Sequence, residues 1–223
     1  AVMIVQGRGG PAARPPAAAR PGAAEGPAPS AYSDSPSTRA FAGIDRRAAD
    51  AAPLTAAEAF PKSAAVLEDR NAGVRLRQAG SRLDADCAAA VWGARLAGEL
   101  RRGGCTQVAR AGYLDKKAGY AALVAIINLA TAADANRLVD ALGNNAAPGF
   151  VLSLPGVDRF DQGFSLARGR AMGHYAVIGW VRRLDGTGDE QDEALLSLLV
   201  TVSGPAAVLN RAAATQGGAA TTG

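Results

Sequence analysis

The sequence predicts an α+β domain, a single antiparallel sheet with helices packed mainly on one face. Three observations carry that expectation. Two long runs, Tyr120–Ala130 and Met172–Arg183, are rich in β-branched and aromatic residues and read as strands. Segments of helical period lie between shorter strand-like segments, so hairpins alternate with helices. The texture of the chain also changes near residue 60. Pro, Ala, Gly and Arg dominate before it, and alternating helix-like and strand-like segments surround Cys87 and Cys105 after it.

These boundaries divide the chain into a disordered stalk at 1–47, a globular domain at 48–211 and a disordered tail at 212–223. Proline fixes φ and lacks a donor, and Ala offers little apolar area to offset the entropy of ordering. The apolar piece Val2-Met3-Ile4-Val5 with its exit Gln6-Gly7-Arg8 reads as the last turn of a helix. A full span takes about 20 apolar residues. The expectation is therefore a membrane helix upstream, with the stalk lifting the domain clear of the surface.

Within the domain, Ala48–Phe60 has helical composition with Thr55 as its N-cap, and Ala64–Glu68 extends it. Val74-Arg75-Leu76-Arg77 alternates as a half-buried strand with the arginines outward. Asp84 or Asp86 caps a helix over Cys87–Arg102, which Gly103-Gly104 stops. Cys105–Leu114 is a strand, Asp115–Gly119 a turn, and Tyr120–Ala130 the central strand it pairs with. Thr131 caps a helix over Ala132–Leu142, closed by Gly143-Asn144-Asn145. Phe150–Leu154 is a short strand or extended segment, Phe164–Arg168 a short strand, and Met172–Arg183 the second strong strand. Glu190–Leu209 is helical with a break at Gly204-Pro205. The helices Cys87–Leu100 and Glu190–Val202 are expected on the same face of the sheet.

The net charge of +4 comes from scattered arginines rather than from a patch with interleaved aromatics, so nucleic acid is not an expected partner. Two cysteines invite a disulfide, but an unbroken helix over 87–102 would hold its ends about 23 Å apart. Three residues return at most about 10 Å, and a disulfide wants Cα atoms about 4.4–6.8 Å apart. Either the helix is interrupted, for example at Gly93, or Cys87 and Cys105 do not pair with each other.

A Cys/His hydrolase would use Cys105 with His174, the only histidine, yet no such signature surrounds either residue. One histidine is too few for the usual zinc set without both cysteines. The acidic run Asp185–Glu193 lacks EF-hand spacing and reads as a turn followed by an acidic first helical turn. Gly7-Arg8-Gly9-Gly10 is no phosphate loop, because no strand precedes it and no Lys-Ser/Thr follows. No catalytic residue, metal or cofactor is assigned. Arg110 and Trp180 are the candidate liners of a ligand groove.

The run Cys87-x4-Trp92-Gly93-x2-Leu96-x3-Leu100-x3-Gly104-Cys105-Thr106-Gln107-Val108-x-Arg110-x2-Tyr113, with Gly173-His174-Tyr175 and Trp180-Val181 after it, resembles single-pass membrane or secreted proteins of high-GC actinobacteria. The resemblance covers roughly residues 60–210. It implies a small extracytoplasmic α+β domain behind an N-terminal membrane helix, and it supplies no activity or ligand. The expected function is a non-enzymatic binding or sensor-like domain, tethered at the extracytoplasmic face of the cell membrane or secreted. Its expected partner is an envelope protein or peptide. The alternatives are an envelope-acting hydrolase and a purely structural surface domain.

Overall fold

The computed structural model describes residues 20–220 apart from 145, 147 and 158. Strands β1 (Ala31–Ser35), β2 (Val66–Asp69), β3 (Val74–Asp84), β5 (Gln107–Asp115), β6 (Tyr120–Asn128), β8 (Ser165–Met172) and β9 (Tyr175–Arg183) form one curled sheet. Its order is β1-β8-β9-β6-β5-β3-β2. The short strands β4 (Val91–Trp92) and β7 (Phe150–Val151) pair separately as a second sheet. The helices are α1 (Ala56–Ala59), α2 (Ala94–Arg102), α3 (Ala132–Gly143), α4 (Glu193–Val202) and α5 (Ala206–Ala220).

The fold class therefore differs from the expected single antiparallel sheet. The large sheet is mixed, because β1 runs parallel to β8 while every other pair in it is antiparallel. The helices also cover both faces. Every residue of β6 is buried, and alternate side chains serve different cores. Leu123, Ala125 and Ile127 pack with Leu96 and Leu100 of α2 and Leu138 and Val139 of α3. On the opposite face, Ala122 and Val124 pack with Leu195, Leu198 and Leu199 of α4, and Ile126 with Val208 of α5. The helices following Cys87 and Glu190 thus lie on opposite faces. A helix's own periodicity marks which of its sides is apolar and says nothing of which side of a sheet receives it.

The two runs expected at the centre are paired there, β6 against β9, from Tyr120 opposite Arg183 to Asn128 opposite Tyr175. Met172 ends β8 rather than starting β9, because the chain turns at Gly173-His174. Val66–Asp69 forms β2 against β3 instead of extending the preceding helix.

The N-terminal boundary also moves. Val2–Val5, Gly7–Gly10 and the first part of the expected stalk lie outside the described residues, as does Asn145. Residues 31–47 belong to the packed body: β1 pairs with β8, and Phe41 and Ile44 are buried. Pro29 and Pro36 flank β1, consistent with an edge strand, where a missing donor is tolerated. At the other end, α5 continues to Ala220 and buries Ala212, where a frayed tail was expected.

Cys87 and Cys105 are bonded, with Cα atoms 6.3 Å apart. The expected helix is interrupted, as that bond requires. A single 3-10 turn spans Cys87–Ala90, β4 follows, and α2 starts only at Ala94. Gly93 joins them at φ 90°, and a Cβ there would lie 2.2 Å from the Pro148 carbonyl oxygen. Reducing this bond is expected to lower stability by about 3 kcal/mol, the loop-closure contribution for a separation of this size. Urea unfolding with and without reductant measures it. Coincident curves would show that the bond contributes nothing.

Candidate functional site

The sheet face covered by α4 and α5 carries a cleft of about 160 Å³. Tyr113 of β5 and Val124 of β6 line it from the sheet. They are diagonal neighbours across the strand pair, since Ala111 stands opposite Val124 and Tyr113 opposite Ala122. One wall is Ala59, Phe60, Ser63, Ala64 and Leu67. The other comes from the end of α4 and the corner into α5, Thr201 to Ala206.

Local chemistry places both walls. Thr55 caps α1, its hydroxyl accepting from the Glu58 amide at 3.1 Å. Pro205 has no amide to continue α4, so the α4–α5 axis bends by 49° at Gly204-Pro205. Gly179 of β9 admits the end of α4 to the sheet, since a Cβ there would meet the Ser203 hydroxyl at 2.7 Å. Asp69 of β2 ties the walls together. Ser197 donates to it at 2.8 Å and Thr201 at 2.9 Å. Burial pushes the Asp69 carboxyl up, but the Ala72 amide and these two hydroxyls outweigh that and hold it below its ordinary value.

Ser63, Tyr113 and Thr201 are the polar side chains of this largely apolar lining, and Thr201 is already committed to Asp69. Tyr113 is 1% exposed, and its hydroxyl has no hydrogen-bond partner among the described residues. Burial pushes the phenol up to about 12, so it stays a neutral donor and acceptor at any physiological pH. An apolar cavity of about 150 Å³ accepts a benzene-sized molecule, whereas drug-sized ligands occupy about 300 Å³ or more. The cleft is therefore the right size for one ring or a short aliphatic group bearing a single hydrogen-bonding atom.

A second polar cluster lies on the same face. His174 sits between the Leu129 carbonyl, 3.1 Å from Nδ1, and the Asp50 carboxylate, 3.1 Å from Nε2. Tyr175 donates to Asp50 at 2.8 Å, and Arg211 of α5 reaches Asp50 at 2.9 Å and Glu58 at 2.7 Å. Burial pushes the His174 imidazole down while the Asp50 carboxylate pulls it partly back. Burial, then Asp50, pushes the Tyr175 phenol up. These groups satisfy one another and lock α5 and residues 50–58 to the sheet. No thiol joins them, because Cys105 is committed to the disulfide.

The residues expected to line a groove lie elsewhere. Trp180 and Arg110 are both buried, at 1% and 3% exposure, on the face covered by α2 and α3. Trp180 packs between Phe150 and Phe160, with ring centroids 4.8 and 4.3 Å away. Arg110 pairs with Asp84 at 2.7 Å and donates to the Leu152 carbonyl at 2.6 Å. The acidic run begins with a turn, as expected, but its helix starts at Glu193 rather than Glu190, with Asp192 as the N-cap. Asp192 accepts from the Ala194 and Leu195 amides at the start of α4 and holds Arg183. Among the described residues, no group of three or more His, Cys, Asp or Glu side chains converges as a metal site requires.

The cleft escaped sequence reasoning because its lining comes from segments spread over residues 59–206. Only Tyr113 and the Gly204-Pro205 break stood out in the sequence. No single described helix is long and apolar enough to cross a membrane, and the bent α4–α5 pair passes that test only when joined. No protein family, no curated protein and no solved structure matches this chain.

Proposed function

We propose that this chain is a non-enzymatic binding domain of an extracytoplasmic compartment, tethered to the cell envelope through sequence before residue 20, and that the Tyr113 cleft receives a small apolar group of its ligand. The observation that carries the reading is the Tyr113 hydroxyl, which lines a largely apolar cleft and makes no hydrogen bond among the described residues. A polar group that faces a cleft without a protein partner is available to a ligand that supplies the hydrogen bond. The disulfide supports the compartment, since such bonds persist where the surroundings are oxidising. The resemblance to actinobacterial membrane and secreted proteins supports the tether.

Phenol and benzene are suitable ring-sized probes. Both should shift the amide resonances of residues around the cleft saturably, with phenol the tighter through its hydroxyl. Tyr113→Phe should remove most of the phenol advantage, about fivefold to tenfold for one hydrogen bond, and leave benzene binding intact. Ala64→Phe should fill the cleft and abolish both. Shifts that are absent, or that persist in Ala64→Phe, would remove the cleft as the ligand site.

A further inference from the structure

Arg168 and Arg170 of β8 stand at alternate positions and so point to the same face, with Cα atoms about 7 Å apart. Leu166 and Met172, their neighbours on that face, are in the cores under α4 and α5. The arginines lie in the gap between those cores, partly buried. Neither has a carboxylate within ion-pair distance among the described residues. Arg168 donates to the Ser35 hydroxyl at 2.9 Å, and its buried Nε has no partner. Arg170 donates to the Ser203 carbonyl at 3.2 Å.

Several other arginines drawn into this protein meet carboxylates or a cage of carbonyls, and Arg47, half-buried, rests on the Gly104 carbonyl and the Thr106 hydroxyl rather than against a second arginine. Arg110 has Asp84, Arg183 has Asp192, and Arg211 has both Asp50 and Glu58. Arg182 is enclosed by the carbonyls of Arg159, Gln162 and Leu184. The pair on β8 instead faces its own kind: burial, then the charge of Arg168, pushes the Arg170 guanidinium down. Two like charges held side by side without a counter-charge are unfavourable unless something arrives to neutralise them.

We infer that Arg168 and Arg170, with Ser33 and Ser35 of β1, form a binding site for a tetrahedral dianion of the phosphate class. Ser33 stands opposite Arg168 in the strand register and Ser35 opposite Arg170. The Ser35 hydroxyl accepts from Arg168, so its own proton is free to donate to an oxyanion. Two guanidinium forks match a doubly charged group with several acceptor oxygens better than a single carboxylate does. The anion is either inorganic phosphate or a phosphoryl group on a larger molecule. The site adjoins the α4–α5 corner that walls the Tyr113 cleft but shares no lining residue with it, and Tyr113→Phe should leave it unchanged.

The test uses the full chain at matched ionic strength. Inorganic phosphate should produce a saturable rise in melting temperature that sodium chloride does not, with amide shifts at Ser33–Ser35 and Arg168–Arg170. Arg170→Gln should weaken phosphate binding at least tenfold, and in phosphate-free buffer it should melt no lower than the parent, because a like-charge contact is gone. Arg170→Lys, which keeps the charge but loses the fork, should fall between. Glycerol phosphate binding more tightly than inorganic phosphate would identify a phosphoryl group on a larger ligand, and the reverse order would identify free phosphate. Equal responses to phosphate and chloride would overturn the proposal, as would undiminished binding in Arg170→Gln. A large loss of stability in Arg170→Gln would make Arg170 a strut for the α4 corner instead and would equally overturn it.

Discussion

Replacing Arg110 by Met should destabilise the protein by about 3–5 kcal/mol, the range for removing one partner of a buried ion pair. The Arg110 and Asp84 side chains are each 4% exposed and meet at 2.7 Å. Without Arg110, Asp84 keeps only Arg82, whose own side chain is 61% exposed and therefore well screened. The Leu152 carbonyl loses its donor in the same step, and with it goes an anchor of the segment that seals Trp180. The penalty comes from an uncompensated buried charge rather than from lost attraction. The double variant Asp84→Leu/Arg110→Met should therefore recover most of the loss, since apolar replacements of both partners are often neutral or better. Urea unfolding of the two single variants and the double variant closes the cycle. A single variant within about 1 kcal/mol of the parent would mean that water reaches Asp84.

Trp92→Ala should have an effect of similar size, about 3–5 kcal/mol, as expected for deleting a buried aromatic. Trp92 is 8% exposed and lies in the core shared with Leu96, Phe150 and Trp180. It holds that place from a strand rather than from a helix, pairing with Phe150 across the small sheet. Its indole N–H also donates to the Pro27 carbonyl at 2.8 Å, and the neighbouring Gly93 amide donates to Ala23 at 3.0 Å. Trp92 thus pins proline-rich chain against the body. Trp92→Phe separates the two roles: it keeps most of the apolar volume and loses the N–H, so it should cost about 1 kcal/mol. Amide exchange at Gly93 should quicken in both variants if the 23–27 segment loosens. A Trp92→Ala protein that unfolds like the parent would take the side chain out of the core.

The strongest local patterns were readable without the fold. The hairpin Gln107–Asn128 showed as two apolar runs around Asp115–Gly119, and α3 showed as a capped stretch behind Thr131, whose hydroxyl does accept from the Asp134 amide. Gly204-Pro205 announced the end of α4, because a missing donor acts within one helical turn. Gly93 was legible only as an alternative. The spacing of Cys87 and Cys105 demanded either an interruption or no bond, and neighbouring residues could not choose.

What the sequence determined by itself, then, was whatever a single turn, strand or cap settles among residues a few positions apart. The tertiary structure decided the rest. Ala31–Ser35 has little apolar content and becomes a strand because β8, about 135 residues later, offers it a hydrogen-bonding edge. The uninterrupted apolar run of β6 demanded cover on both faces, yet only packing could send α2 and α3 to one face and α4 and α5 to the other. The same holds for chemistry. Arg110 and Arg168 are equivalent as sequence, each an arginine on an apolar strand. One meets Asp84 and becomes structure, while the other meets Arg170 and two serines and is left with charge to spend on a ligand. Electrostatic interactions act across space and are screened beyond about 10 Å, so a side chain's role depends on neighbours that the fold, not the local sequence, supplies.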